Sequence, residues 1–186
     1  MRAARTNEDP APRLLAALDQ ATGTVLAQAR VADKSNEVPA LGELLKTLDL
    51  DGVVVSADAM HTQVDTAQWI TRRGGHYLLT VKGNQKSLHR TLKALPWKNV
   101  PSVSSVDTGH GRRVRRTVKA VEAPTSPGLR RWSRSDAPGP SRAGSTLRWS
   151  TRVCSLSMPD AQPEQVAAWI QGHWGIENRL HWVRDV

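Results

Sequence analysis

Two acids far apart in the chain, Asp58 and Glu177, are the residues whose type and setting best suit chemistry. Asp58 follows Val53, Val54 and Val55, three β-branched residues that read as a buried strand, and then Ser56 and Ala57. Its carboxylate therefore stands where a strand ends. Glu177 lies in HWGIENRLHWVRDV (His173 to Val186), where a spacing of four puts His173, Glu177 and His181 on one helical face. A strand-end carboxylate and a helix-borne carboxylate can together hold Mg²⁺, a hard cation that prefers oxygen. A pair of such ions activates water or a 3′-hydroxyl and steadies the leaving oxygen in phosphoryl transfer. Each acid also has a plainer reading. Asp58 reads as a turn or helix-entry aspartate, and Glu177 as a surface or ion-paired helix acid. Helix-borne zinc is disfavoured, because His173 and His181 are eight residues apart rather than four as in HExxH. Cys154 is the single cysteine, which excludes a disulfide framework and a cysteine-based zinc site. There is no Gly-rich phosphate loop, GxSxG or paired Cys and His, so nucleotide hydrolysis and acyl transfer have no support.

The elements that must carry these groups follow from the hydrophobic periods. After Asp58, Thr62 offers an N-cap, and Ala67, Trp69 and Ile70 supply apolar helix positions. Arg72 and Arg73 fall in the last turn, and Gly74-Gly75 stops it. His76 to Val81 is a second apolar strand, left by Lys82-Gly83-Asn84-Gln85. Strand, helix and strand over about thirty residues predict a parallel crossover, with the chemistry at the carboxyl ends of its strands. Asp58, Lys82 and Asn84 would share that edge. Upstream, Arg13 to Leu18 and Thr24 to Val31 form an antiparallel hairpin around a turn at Asp19 to Gly23, and a helix opens at Pro39 and runs to about Leu48. Downstream come a helix over Gln85 to Leu95 and strands over Ser102 to Asp107 and Arg113 to Val121. The basic residues of the second strand either track a phosphate backbone or solvate an edge.

Residues 125–152 break the pattern. They are rich in Ser, Pro, Gly and Arg, hold one acid (Asp136), and lack hydrophobic periodicity. The expectation is a disordered basic loop, whether a DNA-binding insertion or an out-of-frame stretch. Order returns at Val153 to Leu156, followed by a helix from Pro163 to near Gly172 and a second from His173 onward. The expected organisation is a disordered lead (1–12), the first part of a core (13–123), the irregular stretch (124–152), and the rest of the core with the Glu-bearing helix (153–186). The 186 residues carry a net charge of +9, which suits a polyanion. No apolar run approaches a membrane span and the start lacks a signal-peptide core, so a cytoplasmic protein is expected.

Three stretches then carry a resemblance. ADAMHTQ (Ala57 to Gln63), GGHYLLTVKGNQ (Gly74 to Gln85) and HWGIENRLHWVRDV resemble the DDE transposases of the ISAs insertion-sequence type, the group that includes the H-repeat-associated proteins. LLAALDQATGTVLAQARV (Leu14 to Val31) and DKSNEVPALGELL (Asp33 to Leu45) resemble the segment just upstream in that family. The resemblance implies an α/β, ribonuclease-H-like mixed sheet flanked by helices, and DNA strand transfer by an Asp-Asp-Glu triad with two Mg²⁺ ions. Asp58 falls on the second Asp and Glu177 on the Glu, which makes both metal ligands and catalytic residues. The first Asp lies in a family segment resembling Asp-Gly-Lys that has no counterpart here; Asp9 and Asp19 do not fill the role. The expectation is thus an incomplete copy, lacking the first strand and a C-terminal part, and inactive as this chain alone. The alternative is a non-catalytic DNA-binding remnant or a pseudogene product. The implied partners are DNA (transposon ends and target) and a second copy in a homodimer, with no membrane. His61, Lys82, Asn84, Arg112, Arg113, Arg115 and Arg116 are the DNA-facing candidates.

Overall fold

The structure is a computed structural model that describes residues 13–31, 37–109, 112–126, 129–138 and 147–184; side chains at 174–184 and in parts of the later strands fall outside the description. The chain divides into two compact units, Met1–Leu48 and Asp49–Val186. In the first, β1 (Arg13–Leu18) and β2 (Val25–Val31) pair antiparallel across a turn, and α1 (Glu37–Lys46) follows. The turn closes because Asp19 accepts from the backbone N–H groups of Ala21 and Thr22 and from the Thr22 hydroxyl, an Asx-type closure. Leu41, Leu44 and Leu45 are the buried face of α1, as their helical spacing predicts.

The second unit opens with the crossover. β3 (Val54–Ala57) pairs parallel with β4 (His76–Val81), and α2 (Val64–Arg72) connects them. Gly74 ends the connection with φ +76°, a left-handed conformation that favours glycine. α3 (Lys86–Ala94) then leads to β5 (Ser102–Gly109), β6 (Arg112–Ser126), β7 (Leu129–Pro138), β8 (Leu147–Cys154) and α4 (Pro163–Arg184). The strands form one mixed sheet in the order β3-β4-β8-β7-β6-β5, antiparallel everywhere except β3 with β4.

The two faces of the sheet are dressed differently. Alternation along β4 sends Leu78 to one side, where it joins Val118, Cys154, Ala161, Val166 and Ile170 in a core built under α4. Val166 and Ile170 are four apart, so one stripe of α4 lies on the sheet, and each such buried side chain contributes roughly 1.5–3 kcal/mol. On the opposite side, Tyr77, Leu79 and Val153 meet α2 and α3 around a cavity of about 200 Å³. β4 is covered on both faces and reads as a continuous apolar run for that reason.

Two expectations fail. The stretch expected to be disordered supplies β7 and most of β8, which pair with each other and with β6 and β4. Small polar residues take the inward positions there, Ser133 fully buried and Ser135 nearly so, and ladder hydrogen bonds rather than an apolar pattern hold the strands. Gly172 does not end a helix either: α4 runs unbroken through it. One interior glycine costs only about 1 kcal/mol, less than the packing of Val166 and Ile170 returns.

Candidate metal centre at the end of strand β3

Asp58 begins where β3 stops. Its backbone is extended (φ −69°, ψ 166°) and precedes a short 3-10 turn, Ala59–His61, yet its side chain makes no capping bond to that turn. Asp58 thus does stand at a helix entry, where its carbonyl accepts from the His61 N–H, but its carboxylate is not spent on the local backbone. It is 55% exposed, and the His173 ring faces it, with Nε2 3.7 Å from Asp58 Oδ1. His173 is itself mostly enclosed, at 15% exposure, and its other nitrogen, Nδ1, lies 3.0 Å from Ser56 Oγ. Ser56 and Asp58 are two residues apart, so strand alternation turns both toward α4. The His173 ring is the main cause holding the Asp58 carboxyl below the usual carboxylate range; partial burial opposes it, and the charges of His173, Lys82 and His61 add to it.

The turn that follows Asp58 is braced from β4's exit. Asn84 Nδ2 donates to the Ala59 carbonyl at 2.7 Å, and Gln85 Nε2 donates to the Thr62 carbonyl at 2.7 Å. The Thr62 hydroxyl donates to the Thr80 carbonyl rather than capping α2, whose N-cap is Gln63. The expected edge thus exists, with Asp58, Lys82 and Asn84 at the carboxyl ends of the two parallel strands.

The remaining sequence candidates fall in different places. Lys82 is exposed and its charge reaches Asp58. His61 is 5% exposed, so it lies inside and does not present itself to a macromolecular ligand. Asn84 is engaged with the Ala59 carbonyl. Arg115 is exposed, with Nη2 3.5 Å from Ser104 Oγ, while Arg116 is half-buried. As consecutive strand residues the two point to opposite faces, so they do not line one basic stripe. Arg112 and Arg113 lie on β6 and their side chains are outside the described residues. Glu177 is on α4, four residues past His173 and so on the same side of the helix one turn on; its side chain too is outside the described residues. Among the described residues, no three His, Cys, Asp or Glu side chains converge into a ready metal cage.

Sequence reasoning missed Arg152. It sits on β8 opposite Thr80, one register step past the Ala57, Leu79 and Val153 row that leads to Asp58. It is 3% exposed and its Nη1 donates to Ser135 Oγ at 2.7 Å. Burial pulls its pKa down to about 10, against the Asp58 charge, which pulls it up. No residue pattern signalled it, because the stretch before Val153 lacks strand-like alternation. Ser56 was invisible for another reason: its partner is 117 residues away.

The second unit is thus a mixed α/β sheet with the Asp58 carboxylate at the carboxyl edge of its parallel pair and His173 of α4 facing it, the edge at which open α/β sheets gather their chemistry. The chain belongs to the transposase DDE domain family, whose model matches residues 10–186. Among curated relatives it is 32% identical over 182 residues to the protein YbfL of Escherichia coli (strain K12), covering 87% of this chain and 47% of that one. It is 31% identical over 182 residues to the "H repeat-associated putative transposase YhhI" of the same strain, again covering 87% and 47%. The chain thus spans about half the length of the curated relatives it matches. The fold is also similar to that of the piggyBac transposase in its synaptic complex with hairpin DNA, with a TM-score of 0.53 and 13% identity over 98% of this chain and 36% of that one. Among the described residues, no helix is long and apolar enough to cross a membrane.

Proposed function

We propose that this chain is catalytic-core sequence of a DNA transposase, a ribonuclease-H-like sheet in which Asp58 and Glu177 hold divalent metal against DNA. One observation carries the reading: Asp58 stands uncapped and half-exposed at the carboxyl end of β3, with α4 and its His173 facing it. The residues present fit a hard cation at that point, because the carboxylate is ionised, reachable and free of the local turn. Asp58 and Glu177 would hold Mg²⁺ there, and the chemistry it would supply is activation of a water or 3′-hydroxyl and charge relief at the leaving oxygen. The chain's own part is to aim the carboxylate: β3 fixes the backbone, Asn84 braces the turn beyond it, and Ser56 sets the His173 ring. Lys82, exposed beside Asp58, offers a point charge to a phosphate.

DNA, as transposon end and as target, is the proposed partner. The test is a metal-dependent nicking and strand-transfer assay, run on this chain and on a version extended to the full length of the Escherichia coli relatives. The extended protein is expected to cut DNA only with a divalent ion and to lose at least 10²-fold of that activity on Asp58→Ala or Glu177→Ala, the order of loss when a group acting on the transition state is removed. Undiminished cleavage by either variant overturns the assignment. DNA binding without cleavage by the extended protein would favour the non-catalytic remnant instead.

A further inference from the structure

We propose that His173 is itself a metal ligand, so that the centre at the end of β3 is a mixed carboxylate and imidazole site that favours Mn²⁺ over Mg²⁺. The inference deepens the reading above and rests on Asp58 binding metal. The argument begins with two facing electron-pair donors. His173 Nε2 and Asp58 Oδ1 stand 3.7 Å apart. That separation is too long for a good direct hydrogen bond. It is within the span of two ligand bonds of roughly 2.0–2.2 Å to one ion between them. A carboxylate and an imidazole nitrogen in this posture require a cation, either a proton or a metal.

The ring is also held as a metal-binding imidazole is held. Ligating histidines donate their second ring N–H to a fixed partner, which sets the tautomer and the ring orientation. Here Nδ1 meets Ser56 Oγ at 3.0 Å, from the same strand that carries Asp58. In the tautomer that donates Nδ1–H to Ser56 Oγ, a metal ion takes the place that a proton on Nε2 otherwise fills opposite the carboxylate. His173 is 15% exposed while Asp58 is 55% exposed, so an ion can enter from the Asp58 side without unpacking the ring. Glu177, four residues further along α4, lies on the same side of the helix. Ligands made only of oxygen suit Mg²⁺; one imidazole moves the preference toward first-row transition ions.

The experiment is Mn²⁺ binding to the 186-residue chain, followed by titration and by pulsed electron paramagnetic resonance, which detects nitrogen bonded to the ion. Mn²⁺ is expected to bind on the order of tenfold more tightly than Mg²⁺ and to show imidazole nitrogen coupling. His173→Gln should erase the coupling and most of the Mn²⁺ preference. Ser56→Ala should keep the coupling and weaken Mn²⁺ on the order of tenfold. Far-ultraviolet circular dichroism of each variant separates ligand loss from unfolding. Mn²⁺ bound at Asp58 with no nitrogen coupling, or with coupling that survives His173→Gln, overturns the proposal and leaves the Asp58 reading standing. Mn²⁺ binding unchanged by Asp58→Asn overturns both. Absence of Mn²⁺ binding by the folded chain overturns the imidazole ligand.

Discussion

Arg152 carries a positive charge into the interior at 3% exposure, and its Nη1 has Ser135 Oγ as a neutral partner. Desolvation is the larger influence on it, which is why its pKa falls to about 10 despite the nearby Asp58. Buried polar groups of this kind are replaced well by apolar side chains of similar volume. Arg152→Met is therefore expected to stay within about 1 kcal/mol of the parent in urea unfolding. Arg152→Ala, which removes the same donor to Ser135 but also leaves a hole, should lose roughly 2–4 kcal/mol. Equal losses would show that the guanidinium, not its volume, holds β8 to β7. Tyr77 gives a second single-residue readout, because it is the chain's one tyrosine. Burial first, and then the Cys154 thiol, push its phenol up to about 12. The neutral form is favoured in the fold, so its contribution is complete below the unfolded value near 10 and is lost as pH rises through about 12. Phenolate absorbance should rise with a midpoint near 12 in the native protein and near 10 in denaturant. A native midpoint near 10 would mean that the ring is not enclosed between the sheet and α2.

Elements decide how firmly the site is held. The crossover from β3 through α2 to β4 was legible in the sequence, since Val53 to Val55 and HYLLTV have strand character and Gly74-Gly75 a helix-stop chemistry. Its bracing was not, because Asn84 and Gln85 work through backbone carbonyls more than twenty residues away in the chain. Asn84→Ala removes one such strut and should cost about 1 kcal/mol. Hydrogen exchange at the His61 and Thr62 amides, which bond to the Asp58 and Ala59 carbonyls, should accelerate with it. Unchanged exchange would place the rigidity of the turn elsewhere. α4 poses the reverse case. A glycine read as a stop proves to be a helix interior, because tertiary packing on either side outweighs its propensity. Gly172→Ala is then expected to raise stability by about 0.5–1 kcal/mol in thermal or urea melts. A loss would argue for a break in α4 at Gly172.

At the scale of the whole molecule, the sequence carried the family and the mixed sheet but misjudged its far half. β7 and most of β8 escaped notice because polar residues hold buried positions, Ser133 and Ser135 on β7 and Thr151 and Arg152 on β8, so the hydrophobic alternation that marks a strand is missing. The arginines of these strands feed the net charge of +9, which bears on what the molecule binds rather than on how it folds. A chain of that charge is expected to bind duplex DNA with an affinity that falls steeply and linearly in log–log coordinates as salt rises. Geometry says which side chains share in that slope. Lys82 is exposed at the carboxyl edge beside Asp58, so Lys82→Ala should weaken binding evenly across sequences and lower the salt slope by about 1. His61 is enclosed and Asn84 carries no charge, so His61→Ala and Asn84→Ala should leave the slope alone even where they lower stability. Fluorescence anisotropy of a labelled duplex over a salt series measures all three. If the parent chain shows no salt dependence, the basic surface is not a DNA surface. If His61→Ala lowers the slope as Lys82→Ala does, the edge opens on binding and exposes a ring that the free structure keeps inside.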